Sequence, residues 1–215
     1  MGNKVNPHIV RLGLNKTWSA VWYTDKKDFA AGLTVDRELK KVIRETLNAA
    51  GLDSINIYKY SNRIDIEAFV ARPGVAIGRG GTGIDDLQKK LKKMTKMEVE
   101  VKIKEVKKPD ISARVIARNI ADGVERRQPS KLLIAAAKEK AMQGGAIGIR
   151  IQVGGRINNN SQARKQIDKA GPVPLQTLRA NIDYANEVAT TVEAGLYGVK
   201  VWVYKPREDL EEKSN

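Results

Sequence analysis

The sequence predicts an α+β protein made of two successive units, each with helices laid on one side of a small sheet. Three observations predict it. Apolar spacing moves between the three-and-four rhythm of a helix and the two-residue rhythm of a half-buried strand, in two separate rounds. A charge run ending in proline and a cap residue, Lys107-Lys108-Pro109-Asp110, separates the rounds. Between two helical stretches of the first round lies a glycine bend, Ile77-Gly78-Arg79-Gly80-Gly81. The expected organisation is a basic extension over 1–33, a first unit over 34–108, a second over 109–205 and a polar tail over 206–215.

Residues 1–33 set Lys4, Arg11, Lys16, Lys26 and Lys27 among Asn, Gly and Pro, with Trp18, Trp22 and Tyr23 interspersed. No period persists there, so the segment reads as an extension that is ordered against a partner. Thr34 suits an N-cap, Asp36 and Glu38 fall in the first turn, where carboxylates meet the positive helix end, and Gly51 follows the last turn. Val35, Leu39, Val42, Ile43, Leu47 and Ala50 make that helix's apolar face. Ile55 and Ile57, then Ile64, Ile66, Ala68 and Val70, alternate with polar neighbours around Ser61-Asn62, which predicts an antiparallel hairpin with one wet face. Pro73-Gly74 then punctuates, and Val75-Ala76-Ile77 allows one helical turn. From Thr82 a second helix carries Ile84, Leu87, Leu91 and Met94 as a stripe, with Asp85 and Asp86 at its start and Lys89, Lys90, Lys92, Lys93 and Lys96 later. Val99, Val101 and Ile103 alternate in a closing strand.

The second unit opens on two helices. In 111–126, Ala113, Ile116, Ala117, Ile120 and Val124 face a core, while Arg114, Arg118, Asp122 and Arg126 line another side. Pro129 suits the first turn of the next helix, which ends by Gly144. Strands are expected at Ile147–Val153, Leu178–Tyr184 and Val199–Val203, giving two helices packed on a mixed or antiparallel sheet. The loop Gly154-Gly155-Arg156-Ile157-Asn158-Asn159-Asn160 lies between the first two strands, with Arg164 and Lys165 soon after. Val188 to Val192 reads as either extended strand or turn, and Arg207 through Asn215 as a polar end.

Charge narrows the class of function. Lys and Arg total 39 against 25 Asp and Glu in 215 residues, a formal net charge of +14 that favours polyanionic partners. The chain holds no cysteine and one histidine, His8, so disulfides, thiolate metal sites and a histidine zinc site find no ligands. No apolar run reaches membrane-spanning length and the first residues lack a signal-peptide core, which leads to the expectation of a cytoplasmic protein with no membrane, metal, cofactor or small-molecule substrate. One His, no Cys and no nucleophile–base pairing speak against an enzyme. Asp65 and Glu67, two apart on a strand, read as solvated.

Three readings compete for the glycine bend. Gly78-Arg79-Gly80-Gly81-Thr82-Gly83 satisfies G-x-G-x-x-G, with Glu100 and Glu105 at ribose-binding distance. A dinucleotide fold, however, wants a fully apolar parallel strand running straight into the turn, and here Asp65, Glu67 and Pro73–Ile77 intervene. A purely structural turn needs one glycine, not three in four residues. The third reading is the KH module, whose G-x-x-G loop between two short helices clamps about four backbone nucleotides. Gly78-Arg79-Gly80-Gly81 fits it, as does Gly80-Gly81-Thr82-Gly83 in a later frame, and the surrounding order of elements makes the fit specific.

Longer stretches carry a resemblance. Met1-Gly2-Asn3-Lys4-Val5-Asn6-Pro7, Arg11-Leu12-Gly13, Ala71-Arg72-Pro73-Gly74, Ile77-Gly78-Arg79-Gly80-Gly81, Val124-Glu125-Arg126-Arg127, the run from Pro174 to Tyr184 and Gly198-Val199-Lys200-Val201-Trp202 resemble, in order, the bacterial small-ribosomal-subunit protein S three family. The resemblance implies a type II KH domain (α-β-β-α-α-β on a three-stranded sheet), then a two-layer α/β domain. It implies a non-enzymatic component of the small ribosomal subunit head, in the cytoplasm, binding ribosomal RNA and meeting mRNA near the channel through which it enters, beside proteins S ten and S fourteen. A free-standing KH regulator of mRNA is the nearer alternative and a dinucleotide-binding enzyme the remote one.

The expected RNA-binding set is Arg72, Gly78, Arg79, Gly80 and Gly81 with Lys89, Lys93, Lys102 and Lys104 around them. The resemblance further implies that Arg126, Arg127 and Lys131 lie on the mRNA path; Leu132 and Ala135 stand where the best-known members carry further cations, and Lys138 and Lys140 follow along the same helix. Lys4, Arg11, Lys16, Arg156, Arg164 and Arg179 complete the expected contacts to ribosomal RNA.

Overall fold

Gly51 is where the helical period gives way to alternation, and its backbone takes φ 73°, the left-handed conformation that ends a helix without a Cβ clash. A computed structural model describes residues 4–60, 62–95, 97–157 and 160–206, Arg79 by its backbone alone. The chain divides into two units, one of residues 18–107, the other of residues 1–17 together with 108–215. The first element, α1 (Pro7–Val10), belongs to the discontinuous unit.

The continuous unit runs β1 (Ala20–Val21), α2 (Phe29–Leu47), β2 (Leu52–Lys59), β3 (Arg63–Val70), α3 (Pro73–Ile77), α4 (Thr82–Thr95) and β4 (Glu98–Glu105). The expected α-β-β-α-α-β order is present. Strand order is β1-β2-β3-β4, with β2 and β3 antiparallel and β3 parallel to β4, as a crossover through two helices requires. The short β1, parallel to β2, adds an edge beyond the three expected strands. Leu39, Ile43 and Leu47 of α2 and Leu87 and Leu91 of α4 close over Ile57, Ile64, Ile66, Val99 and Val101 in one core. Each of these large side chains, fully buried, stabilises by about 1.5–3 kcal/mol.

α2 starts five residues before the predicted Thr34. Thr34 does not cap; its hydroxyl donates back to the Ala30 carbonyl at 3.0 Å from inside the helix. Trp22 explains the extension: its ring lies 5.4 Å from that of Phe29 and against Gly32, where an added Cβ would stand 3.3 Å from the indole. Residues 18–33 therefore belong to this unit's fold.

The second unit places α5 (Ala113–Glu125) and α6 (Ser130–Gln143) on one face of an antiparallel sheet of β5 (Gly148–Gly155), β6 (Arg164–Ala170), β7 (Ile182–Thr191) and β8 (Gly195–Tyr204), ordered β6-β5-β8-β7. Ser112 caps α5 by accepting from the Val115 amide at 3.3 Å. Ile116, Ile120, Val124 and Ile134 meet Ile149, Ile151, Val199, Val201 and Val203 beneath the helices. The expected Leu178–Tyr184 strand is displaced to begin at Ile182, and it absorbs most of the ambiguous 188–192 stretch. The reason is Arg11, whose guanidinium takes the carbonyls of Leu175, Thr177 and Ala180 out of reach of any ladder. β6 falls where a loop was expected. The Ser61 half of the predicted hairpin turn, Lys96, Asn158 and Asn159, and the tail from Arg207 lie outside the described residues.

Candidate nucleic-acid interface

The glycine bend is built from its flanks. The Ala71 and Arg72 amides donate to the Gly51 and Ala50 carbonyls at 2.9 Å each, and Arg72 Nη2 donates to the Ala49 carbonyl at 2.8 Å. Arg72 thus ties the start of α3 to the end of the preceding helix and positions the bend. Gly78 takes φ 73°, ψ −179°, and a Cβ there would lie 3.1 Å from the Gly83 amide nitrogen. At Gly83 a Cβ would lie 2.9 Å from the Ala76 carbonyl. These two glycines let α3 and α4 approach. Gly80 (φ 63°) and Gly81 (φ 86°) differ: nothing stands within 4 Å of where their side chains would be. Of the glycines in the sequence motif, two serve packing and two present bare backbone to open space.

The cations divide as well. On α4, Leu87 and Leu91 are buried while Lys89, Lys90, Lys92 and Lys93 are exposed. Lys89 approaches Asp86 at 3.9 Å with both groups open to water, a pairing that costs the lysine little of its availability. Lys102 and Lys104 stand on the sheet face opposite the helices, since Val99 and Val101 of the same strand point into the core. There Lys102 pairs with Glu100 at 3.2 Å and Lys104 with Glu67 at 2.7 Å. The structure therefore groups Lys89 and Lys93 on the glycine-led helix and sets Lys102 and Lys104 apart from it. The side chain of Arg79 lies outside what the structure describes.

In the second unit Arg11 corrects the expectation. Although counted among the RNA contacts, it is 1% exposed and donates to four backbone carbonyls: Ala180 (2.9 Å), Pro7 (3.1 Å), Leu175 (3.1 Å) and Thr177 (2.9 Å). Burial lowers its pKa, and no face of it is left for phosphate. Lys16 is half-buried and its charge acts on Asp183. Asp183 gathers the Lys205 ammonium at 2.8 Å, His8 Nε2 at 3.2 Å and the Ala113 amide at the head of α5 at 3.2 Å. Burial pushes its carboxyl up, but Lys205, His8 and Lys16 outweigh that and hold it well below the usual range. Residues 4–17 are thus fastened by an internal ion cluster, where the sequence suggested ordering on a partner.

Lys4, Arg126, Arg127, Lys131, Arg156, Arg164 and Arg179 are all exposed. Arg126 and Arg127 end α5 and Lys131 begins α6, so the three cations surround one tight turn; Arg127 meets Glu193 at 3.2 Å. Leu132, beside them, is exposed. Arg156 braces its own loop through Nε to the Asn160 carbonyl at 3.0 Å. Sequence reasoning does not reach Lys169 or Arg150. The alternation from Lys165 to Ala170, with Ile167 its one large apolar residue, is the only local signal for the strand that displays Lys165 and Lys169.

Among the described residues no group of three or more acidic or histidine side chains could hold a metal ion, and no helix is long and apolar enough to cross a membrane.

Two family models match the chain. One, described as a KH domain, covers residues 38–111; the other, described as Ribosomal protein S3, C-terminal domain, covers residues 116–203. Among similar proteins, the small ribosomal subunit protein uS3 of Alkaliphilus metalliredigens is 40% identical over the whole of this chain and 94% of its own length. Those of Acetivibrio thermocellus and Caldanaerobacter subterraneus subsp. tengcongensis are 42% and 45% identical over 95% of this chain, and 90% and 92% of theirs.

Proposed function

Since the chain belongs to the small ribosomal subunit protein uS3 family, a family of non-enzymatic ribosome components, we propose that it works by equilibrium binding, gripping the backbone of small-subunit ribosomal RNA through the Gly80-Gly81 bend. The observation that carries this reading is the open space over two consecutive glycines at positive φ. Their amides, with those at the start of α4, donate to phosphate oxygens, because no side chain holds the ribose-phosphate chain away. Lys89 and Lys93 supply the attraction at longer range, and Arg79 adds its charge within the bend. Lys4, Arg156, Arg164 and Arg179 add exposed charge elsewhere. Around the turn between α5 and α6, Arg126, Arg127 and Lys131 meet mRNA near where it enters the head of the subunit. Proteins S ten and S fourteen are the proposed neighbours and the cytoplasm the compartment.

Gly80→Asp and Gly80→Asn separate charge from shape. Both side chains have room, and both residues tolerate a left-handed backbone, so the fold persists in circular dichroism. The aspartate variant is expected to lose about tenfold or more in affinity for deproteinised small-subunit ribosomal RNA, and the asparagine variant much less. Equal affinity of the aspartate variant and the parent protein takes the loop out of the site. Co-sedimentation with small subunits separates a resident component from a free-standing regulator.

A further inference from the structure

The faces that the two sheets turn away from their helices differ in electrical character; in the second sheet Val173 and Leu175 cover Ile182 and Trp202, and the part around Gly154, Gly198 and Lys200 stays open. In the continuous unit, cations on the open face are answered by carboxylates: Arg63 by Asp65, Lys102 by Glu100, Lys104 by Glu67. In the other unit, the strand residues on the face away from α5 and α6 include no acid at all. Odd-numbered residues of β5 and β8 (Ile149, Ile151, Val199, Val201) lie under the helices, so even-numbered ones point outward. Register carries this to β6, where Asp168 opposite Ile151 faces the helices and binds Lys138 at 2.8 Å, while Lys165 and Lys169 face out.

That outward face has a defined layout. Lys169 lies opposite Arg150, whose guanidinium rests 5.1 Å from the Trp202 ring with Nε buried and without a hydrogen-bond partner. Lys165 lies opposite Gly154, which lies opposite Gly198. Lys200 sits two pairs along the same ladder, opposite Gln152. Lys165, Lys169 and Lys200 are exposed, and among the described residues none of them forms an ion pair. At Gly198 nothing stands within 4 Å of a would-be side chain, so the middle of the platform is bare backbone between lysines.

Unanswered like charges on one face repel and cost stability, which a polyanion laid across them recovers. A low glycine centre flanked by long cationic arms suits a chain of sugar and phosphate, since the backbone seats close while the ammonium groups reach its charges. We propose that this face is a second RNA-backbone platform, on which Lys165, Lys169 and Lys200 bind phosphates of small-subunit ribosomal RNA and Gly154 and Gly198 allow close approach. The inference rests on the chain being an RNA-binding ribosomal component, and it does not depend on the glycine bend at Gly80.

The test uses the full chain and deproteinised small-subunit ribosomal RNA, with affinity measured across a potassium chloride series. Neutralising the three lysines together (K165Q, K169Q, K200Q) is expected to flatten the slope of log affinity against log salt by about 2 to 3, close to one for each phosphate no longer neutralised. Gly198→Val leaves charge untouched, fits the open space and suits a strand, so it is expected to keep the fold and weaken binding at every salt concentration. Circular dichroism confirms folding, and Lys200→Gln alone, expected to flatten the slope by about 1, stands in should the triple variant misfold. If the triple variant and Gly198→Val both match the parent while Gly80→Asp weakens binding, the platform is overturned and the bend stands. Should none of these substitutions matter, both fall. A triple variant that keeps its RNA slope but no longer enters the small subunit assigns the face to an acidic protein, which also overturns the proposal.

Discussion

Arg127 holds φ at 61°, the one described non-glycine residue with positive φ, at a position where helices usually place glycine. The Arg127 amide donates to the Val124 carbonyl at 2.9 Å and the Gln128 amide to the Gly123 carbonyl at 3.0 Å, which together close α5 in a Schellman turn. A side chain in this conformation costs about 1–2 kcal/mol. Arg127→Gly is expected to gain roughly 0.5–1 kcal/mol in urea unfolding while weakening mRNA crosslinking in assembled subunits. Asp183 yields a pH prediction. Its folded pKa lies well below the ordinary aspartate value of about 3.9, so its stabilisation is complete above that value and fades as the pH falls towards the folded one. Asp183→Asn should therefore lower stability at neutral pH and shrink the loss of stability on acidification, both visible in thermal melts from neutral to acid.

At the level of elements, a polar strand explains much of what differs from expectation. β6 holds one large apolar residue because it is an edge strand, wet on its outer face and resting on Lys138 and Ser130 rather than on a hydrophobic layer on the other. Lysines on such an edge also discourage pairing with another chain. The strand's exit crosses the start of β5 so closely that a Cβ on Gly148 would collide with the Pro172 carbonyl, and one on Gly171 with the Ile147 carbonyl. Gly148→Ala is expected to cost about 2–3 kcal/mol by overpacking, with loss of the near-ultraviolet Trp202 signal before helix content changes. α2 shows the converse influence, in which a ring placed by β1 lengthens a helix beyond its best local cap.

Across the whole molecule the two units differ in how they are assembled from the chain. Residues 18–107 are continuous and own a complete core, so a fragment of these residues is expected to unfold cooperatively and to respond to Gly80→Asp as the full protein does. Residues 108–215 without 1–17 lose Arg11 from four carbonyls and His8 from Asp183. That fragment should be about 3 kcal/mol or more less stable than the same unit in the full chain, measured by urea denaturation. Local period and turn chemistry made α4, β3, β4, α5 and α6 legible, together with the bare bend and the cations of α4. They placed α2 and β7 several residues off and missed β6, because what sets those boundaries is remote: Trp22 on Gly32, Arg11 on Thr177. By itself the sequence determined the run of elements from α2 to β5, the two-unit division and the glycine bend, since each follows from side-chain spacing or from a missing Cβ over a few residues. Only the tertiary structure decided which cations are spent inside the protein and which face out. Arg11 and the Ala180 carbonyl stand 169 positions apart, and the pairing of Lys104 with Glu67, like the freedom of Lys200, depends on strand register that no local pattern encodes.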